Sequence, residues 1–182
     1  RLYEEVRRNE ERIEKELRFA RRVQLALLPT ELPKTVRDAD VAGRFESAHE
    51  LGGDIHDFLA PELNSLVVAV GDVSGKGAPA ALYGAFAAEL VRSRTTRRRF
   101  TPDRFSVSGV LQAMNTTLHE RQLEEYYCTL CYAFFDFSRR VVTLSNSGLP
   151  YPIHCSSTSC GQIELPGVPL GSFPGVTYDE AE

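Results

Sequence analysis

The sequence lacks tryptophan, contains a single methionine, and has no long uninterrupted apolar stretch. A membrane-spanning helix needs about 20 consecutive apolar residues, and no segment approaches that length. The charged N-terminal segment shows none of the apolar region of a secretory signal peptide, so a cytoplasmic location is expected. The net charge is −4, from 21 basic and 25 acidic residues. That balance gives no support to nucleic acid or an anionic membrane as a partner.

Cysteine is also sparse, with four residues. Cys128 and Cys131 form a C-x-x-C pair within the apolar stretch YYCTLCYAFF. Strand positions three apart point to opposite faces, which favours ordinary buried cysteines over a zinc or redox site. Cys155 and Cys160 flank SSTS, where a hairpin loop would place them across from each other. In a reducing cytoplasm we expect both to be free thiols.

Heptad spacing sets residues 1–33 apart as an N-terminal helical linker. The seam consists of Leu2, Val6, Asn9, Ile13, Glu16, Ala20, Val23 and Leu27. This pattern predicts one long helix over residues 1–28, ended by the prolines that follow. Two interpretations stay open: the helix packs on its own domain, or it pairs with a second copy to form a homodimer.

Residues 34–182 are predicted to form one domain of mixed strands and helices. Strands are predicted over residues 41–50, 55–63, 65–75, 126–137 and 139–148, with a last hairpin formed by PYPIHC and GQIEL. Helices are predicted over residues 79–93 and from Pro102 and Asp103 to about Arg121. The order lacks the regular β-α-β alternation of a parallel sheet. It predicts an α+β fold, an antiparallel two-sheet β-sandwich flanked by helices.

Two acidic turns carry the candidate chemistry. GGDIHD contains Asp54, and GDVSGKG contains Asp72 and Val73, each beside a predicted strand. Mg²⁺ and Mn²⁺ bind oxygen ligands, and glycine lets backbone carbonyls approach closely. Aspartates on neighbouring strands can converge on one metal, although each turn alone is also ordinary turn chemistry. GDVSGKG is not a nucleotide-binding loop, because it lacks the required spacing and the following Ser or Thr.

Seven segments, taken in order, resemble the PPM (type 2C) metal-dependent protein serine/threonine phosphatases. They are ARRVQLALLP, GGDIHDF, GDVSGKGAPAAL, LQAMNTTL, YYCTLCYAFFD, LSNSGLPYPI and GVPLG. The similarity is to the bacterial sporulation-E and sigma-factor stress-regulator branch, and it extends from about Ala20 to Gly171. An ordered set of this size is far more specific than any one of its motifs.

The resemblance implies a phosphatase with two Mn²⁺ or Mg²⁺ ions. Asp72 would bridge both ions, Asp54 would serve the second ion directly or through water, and the Val73 carbonyl would complete that side. The metals would activate a water for direct attack on phosphorus, with no covalent enzyme intermediate. The substrate would be phosphoserine or phosphothreonine on a regulatory protein, in this branch often an anti-sigma-factor antagonist.

Three departures from the family pattern point to an alternative. Leu149 stands where the family usually has histidine, and His56 stands where an aromatic residue is usual. The sequence stops at Glu182 without the later T-D-G aspartate and a further C-terminal aspartate, so we expect the C-terminal part of the fold to be missing. We expect the 182-residue chain to be weakly active or inactive. The alternative is a decayed phosphatase-fold module that binds a partner without hydrolysing it.

The remaining polar residues show no catalytic spacing. His49, His119 and His154 are scattered, and surface or packing roles are favoured. Arg92, Arg94 and residues 97–99 form a basic run at a predicted helix end. This run is interpreted as a solvated end of the helix, with a docking site for an acidic partner as the alternative.

Overall fold

The computed structural model describes residues 2–29, 31, 33, 39–47, 50–96, 106–121, 123 and 125–182. In chain order the elements are helix α1 (Leu2–Leu27), strands β1 (Ile55–Leu59) and β2 (Ser65–Val73), helices α2 (Gly77–Thr96) and α3 (Val107–Glu120), and strands β3 (Cys128–Asp136), β4 (Val141–Asn146), β5 (Ile153–Cys155) and β6 (Cys160–Gln162). Strands β1 to β4 form one antiparallel sheet in that order, and β5 pairs with β6 in a second. The predicted α+β fold with antiparallel sheets and flanking helices is confirmed.

The main core lies between the four-stranded sheet and helices α2 and α3. Alternate residues of β2 and β3 face the helices, among them Val67, Ala69, Leu130 and Tyr132, each at most 3% exposed. Helix α2 is rich in alanine, and Ala87 is fully buried. Small side chains let this helix lie close to the sheet, which fixes where the β2–α2 connection runs.

Helix α1 lies mostly outside this core. Its observed span agrees with the predicted helix, and none of its residues is buried. Val6 and Ile13 of the predicted seam are 48% and 50% exposed. Within the described part of the chain, no helix combines the length and apolar composition needed to cross a membrane.

One predicted strand differs from the structure, and one predicted helix start lies outside the described residues. The strand predicted over residues 41–50 is wrong for its described part, since residues 41–47 form no strand. Alternating polarity produces a strand only where a partner edge accepts its hydrogen bonds. The second helix was predicted to start at Pro102 and Asp103, which lie outside the described residues. Helix α3 begins at Val107 because Ser106 caps it, its Oγ accepting a hydrogen bond from the Gly109 amide at 2.9 Å.

The structure confirms the prediction for one cysteine pair and contradicts it for the other. Cys128 is fully buried on the helix-facing side of β3, and Cys131 points to the opposite face, as their odd spacing predicts. The expectation of free thiols at Cys155 and Cys160 is wrong, because a disulfide joins them. The register of β5 and β6 places these two residues directly opposite each other, which brings their sulfur atoms together.

Candidate metal centre

Asp54 and Asp72 lie side by side at one edge of the main sheet. Asp54 immediately precedes β1, and Asp72 is the penultimate residue of β2. Ile55 pairs with Gly71 across these antiparallel strands. Asp54 and Asp72 are the next residues outward from that pair, so the register alone makes them neighbours.

The two carboxylates interact directly. Partial burial, the negative charge of Asp72 and a hydrogen bond that protonated Asp54 donates to the Asp72 carboxylate together raise the pKa of Asp54. Two adjacent carboxylates repel each other when both are ionised, and a divalent cation bound between them would remove that repulsion. The structure therefore brings the two predicted metal ligands together, and their role as ligands stays a prediction.

The backbone of Val73 lies against the loop that precedes Asp54. The Val73 amide donates a hydrogen bond to the Gly53 carbonyl at 3.3 Å. A Cβ atom at Gly53 would lie 2.7 Å from the Val73 carbonyl oxygen and 3.0 Å from the Val73 Cβ. Only glycine therefore fits at position 53, and its absent side chain lets the Val73 carbonyl lie beside the Asp54 loop.

This contact gives a first prediction, for Gly53→Ala. The added methyl group forces the Asp54 loop away from Val73, which should lower the free energy of unfolding by about 2 kcal/mol. The substitution should also weaken Mn²⁺ binding, since Asp54 and the Val73 carbonyl move apart. Urea denaturation and a Mn²⁺ titration followed by calorimetry measure the two effects. Gly161→Ala is the matched control, because a Cβ there meets nothing within 4 Å. If Gly53→Ala and Gly161→Ala had the same free energy of unfolding and the same Mn²⁺ affinity, the close contact between Gly53 and Val73 would be contradicted.

Strand β3 and the loop before it make hydrogen bonds to the end of β2 that contains Asp72. Thr129 Oγ1 donates to the Asp72 carbonyl at 3.1 Å. The Ser74 amide donates to the Tyr127 carbonyl at 2.9 Å, and the Tyr127 amide donates to Ser74 Oγ at 3.0 Å. Gly75 follows with φ of +92°, a conformation that favours glycine. Sequence reasoning did not identify Thr129 or Tyr127, because their contacts depend on the register of β2 and β3.

Helix α1 is attached to the Asp54 loop through Gln24. Its Nε2 donates to the Gly52 carbonyl at 2.5 Å, and the Gly52 amide donates to its Oε1 at 3.4 Å. Arg21 and Glu50 form an exposed ion pair nearby at 3.7 Å. Gln24 could not be identified from the sequence alone, where its only signal is a polar residue beside the heptad seam. A helix outside the core is thus bonded to a residue two positions before a candidate metal ligand.

Arg92 makes a second connection between α1 and the strand that follows Asp54. Its Nε donates to Asp57 Oδ2 at 2.5 Å, and its Nη2 donates to the Leu27 carbonyl at the end of α1. Asp57 is buried on the helix-facing side of β1 and also accepts the Phe58 amide at 2.9 Å. The prediction of a solvated or docking role is wrong for Arg92, which pairs inside the protein. Residues 97–99 of the same run lie outside the described residues.

A cavity of about 630 Å³ adjoins the two aspartates. Its lining includes Leu149, at the position where the resemblance predicted histidine. His56 also lines it, between the rings of Phe45 and Phe58 at centroid distances of 6.0 and 5.8 Å. Burial lowers the pKa of His56, against the opposing charge of Asp57. His56 therefore packs as the aromatic residue it replaces.

The donor set at this edge consists of oxygen atoms. Among the residues that the structure describes, no three His, Cys, Asp or Glu side chains are grouped as metal ligands. His119 contacts the Gly171 carbonyl at 3.4 Å, His154 is exposed, and His49 lies outside the described residues. Two carboxylates and the Val73 carbonyl fit the oxygen preference of Mg²⁺ and Mn²⁺, with water completing the coordination.

Comparison with known sequences gives one family and a curated relative. Residues 63–182 match the family described as Stage II sporulation protein E (SpoIIE). The chain is 25% identical over 146 residues to phosphoserine phosphatase RsbU of Bacillus subtilis (strain 168), an alignment covering 80% of this chain and 41% of RsbU. The chain therefore spans well under half the length of that relative.

Solved structures of other proteins resemble this one, among them those of SiaA and RsbX. The SiaA-PP2C domain of Pseudomonas aeruginosa superposes with a TM-score of 0.67 at 16% identity, covering 95% of this chain and 67% of that chain. RsbX, solved in complex with magnesium, superposes with a TM-score of 0.55 at 20% identity, covering 72% of this chain and 59% of that chain. These likenesses show that the chain shares their fold.

Proposed function

Because the chain belongs to the SpoIIE family, we propose that it contains the catalytic centre of a metal-dependent protein serine/threonine phosphatase. The observation that carries the proposal is the convergence of Asp54 and Asp72 at one edge of the sheet. The proposed substrate is phosphoserine or phosphothreonine on a regulatory protein of the anti-sigma-factor antagonist type. The similarity to RsbU, named a phosphoserine phosphatase, supports this substrate class.

The proposed mechanism assigns a distinct role to each ligand. When bound, two Mn²⁺ or Mg²⁺ ions would lower the pKa of a water and place it for attack on phosphorus. Asp72 would bridge the ions, Asp54 would hold the second one, and the Val73 carbonyl would complete its coordination. The magnesium found in RsbX supports this class of ion. Gly53 keeps the ligands close by leaving room for the Val73 carbonyl.

The proposed division of the chain is a helical linker over residues 1–33 and a phosphatase domain over residues 34–182. Regulation would pass through the linker, since α1 is bonded to the domain near the centre. Gln24 holds Gly52, and Arg92 holds both the Leu27 carbonyl and Asp57. Any displacement of α1 must break or move these contacts, and the Asp54 loop lies between them in sequence.

A second prediction concerns a homodimer formed through α1. Leu2, Val6 and Ile13 are 77%, 48% and 50% exposed along the seam, so the helix has apolar surface available for a second copy. Val6→Glu combined with Ile13→Glu should convert the dimer to a monomer in sedimentation velocity experiments. Leu25→Glu is the matched control, because Leu25 is similarly exposed at 43% but lies off the seam. If the wild-type protein stays monomeric at high concentration, the homodimer interpretation is wrong. The remaining interpretation is that α1 packs on its own domain.

The alternative function is a phosphatase-fold module that binds a phosphoprotein without hydrolysing it. Leu149 favours this candidate, since an apolar side chain beside the two aspartates can neither donate nor accept a proton. Phosphate release by the full-length protein from a phosphoserine peptide and from p-nitrophenyl phosphate, with Mn²⁺ titrated and then removed by EDTA, decides between the two. Release that requires Mn²⁺ supports the enzyme. Peptide binding without release at any Mn²⁺ concentration supports the module.

A further inference from the structure

The β5–β6 hairpin contains a group that the proposed phosphatase chemistry does not use. The Cys155–Cys160 disulfide joins directly opposed residues of the two strands. Every residue of both strands is exposed. A thiol or disulfide reagent in solution therefore has direct access to the sulfur atoms.

The position of this disulfide favours reversible chemistry. The cysteines are only five residues apart in sequence, and the stabilisation from closing a loop increases with its length. The fold therefore depends less on this bond than it would on one that closes a longer loop, and exposed disulfides are the ones most readily exchanged. Cys128 and Cys131 differ, since burial raises their thiol pKa values to about 12 and about 11. Those two residues should stay reduced and unreactive.

The tip of the hairpin depends on the disulfide more than its stem does. Each strand has three residues, and an isolated two-stranded hairpin is marginally stable. The stem is held separately, because the Ile163 amide donates to the Pro152 carbonyl at 2.9 Å and Leu165 is buried. At the tip, the described contacts are the strand pairing and hydrogen bonds within the serine turn, such as that from the Ser156 amide to the Ser159 carbonyl at 2.7 Å.

The base of the hairpin is linked to the candidate metal centre through Leu149. Tyr151 and Pro166, which flank its two strands, line a cavity of about 340 Å³ together with Leu149. Leu149 lines the larger cavity beside Asp54 and Asp72 as well. Residues 153–162 line neither cavity, so the hairpin is connected to that centre through its base.

We propose that Cys155 and Cys160 form a reversible thiol–disulfide site, whose oxidation orders the hairpin beside the candidate metal centre. The oxidant is a low-molecular-weight disulfide such as glutathione disulfide. One cysteine thiolate attacks it, forming a mixed disulfide and releasing one glutathione thiolate. The second cysteine thiolate then attacks the protein sulfur of the mixed disulfide, forming the Cys155–Cys160 bond and releasing the second glutathione thiolate. Two protein thiols are oxidised and one glutathione disulfide is reduced. The thiol–disulfide chemistry does not rest on the proposed function. Only the functional significance of the hairpin's position relative to the candidate metal centre does.

The test equilibrates the protein in glutathione buffers that range from fully reduced to fully oxidised. Labelling with N-ethylmaleimide after unfolding, read by mass spectrometry, should give four labels in the reduced protein and two in the oxidised protein, with Cys155 and Cys160 protected. Hydrogen exchange of residues 153–162 should be about tenfold faster in the reduced form. Cys155→Ser combined with Cys160→Ser should give the hydrogen-exchange rates of the reduced form in every buffer. Cys131→Ser, the control, should keep the redox dependence.

Three results would overturn the proposal. The pair could remain a dithiol in fully oxidised glutathione, or it could resist reduction by glutathione, which would make it a permanent structural bond. Equal hydrogen exchange of the hairpin in both forms would remove the link between oxidation and order. Both readouts, labelling and hydrogen exchange, are independent of phosphatase activity, so they do not depend on whether the protein hydrolyses phosphoserine.

Discussion

In the full-length protein, Asp72→Asn should reduce Mn²⁺-dependent phosphate release roughly a thousandfold, which corresponds to about 4 kcal/mol in activation free energy. A bridging carboxylate offsets the repulsion between two dications, and a neutral amide cannot. The fold should be unaffected, because Thr129 bonds to the Asp72 backbone carbonyl and the amide side chain has nearly the same shape. Initial rates on a phosphoserine peptide, measured at saturating Mn²⁺, check the activity. Urea denaturation should show a free energy of unfolding no lower than that of the wild type, because the repulsion between Asp54 and Asp72 is removed.

Two further substitutions make this result specific. Asp54→Asn should reduce the rate less than Asp72→Asn does, since Asp54 is assigned to one ion only, and excess Mn²⁺ should recover part of it by mass action. Asp136→Asn is the matched control at the other end of the same strand pair, where Asp136 opposes Ser65, roughly 24 Å from Thr129 along β3. Its Oδ1 accepts the Arg139 amide, which an asparagine can also do. Wild-type, Mn²⁺-dependent activity in Asp72→Asn would disprove the mechanism.

Local patterns in the sequence predicted the elements that position the candidate centre. The heptad seam identified α1, and the apolar run that ends at Asp72 identified β2. Glycines beside Asp54 and Asp72 marked turns where carboxylates can converge. These features depend on neighbouring residues only, which is why the sequence alone contained them.

Contacts between distant segments could not be predicted in the same way. Gln24 bonds to a residue 28 positions away, and Arg92 bonds to Asp57 across 35 positions. Identifying either pair requires the placement of α1 and α2 on the sheet, which no local pattern specifies. The error at residues 41–50 has the same origin, since alternation cannot show whether a partner strand is present. The disulfide was missed because its formation was judged from an assumed compartment rather than from the hairpin register.

The unpredicted contacts share a physical consequence. Arg92 joins the end of α1, the buried carboxylate of Asp57 and helix α2 through one guanidinium group. Its side chain is 28% exposed, whereas that of Asp57 is 5% exposed. Removing the arginine therefore leaves an ionised carboxylate with little access to water, and that is far costlier than losing a surface ion pair.

Arg92→Ala should accordingly lower the free energy of unfolding by about 3 kcal/mol, measured by urea denaturation. Arg92→Lys should recover only part of this, because a single ammonium cannot reach both Asp57 and the Leu27 carbonyl with the same geometry. Adding Asp57→Asn to Arg92→Ala should restore roughly 1 kcal/mol or more, since the unpaired charge is then gone. Arg44→Ala is the matched control, because its ion pair with Glu46 is exposed and should contribute less than about 1 kcal/mol. If Arg92→Ala and Arg44→Ala were equally stable, the buried pair would not hold α1 to the domain, and the proposed route of regulation through Arg92 would be wrong.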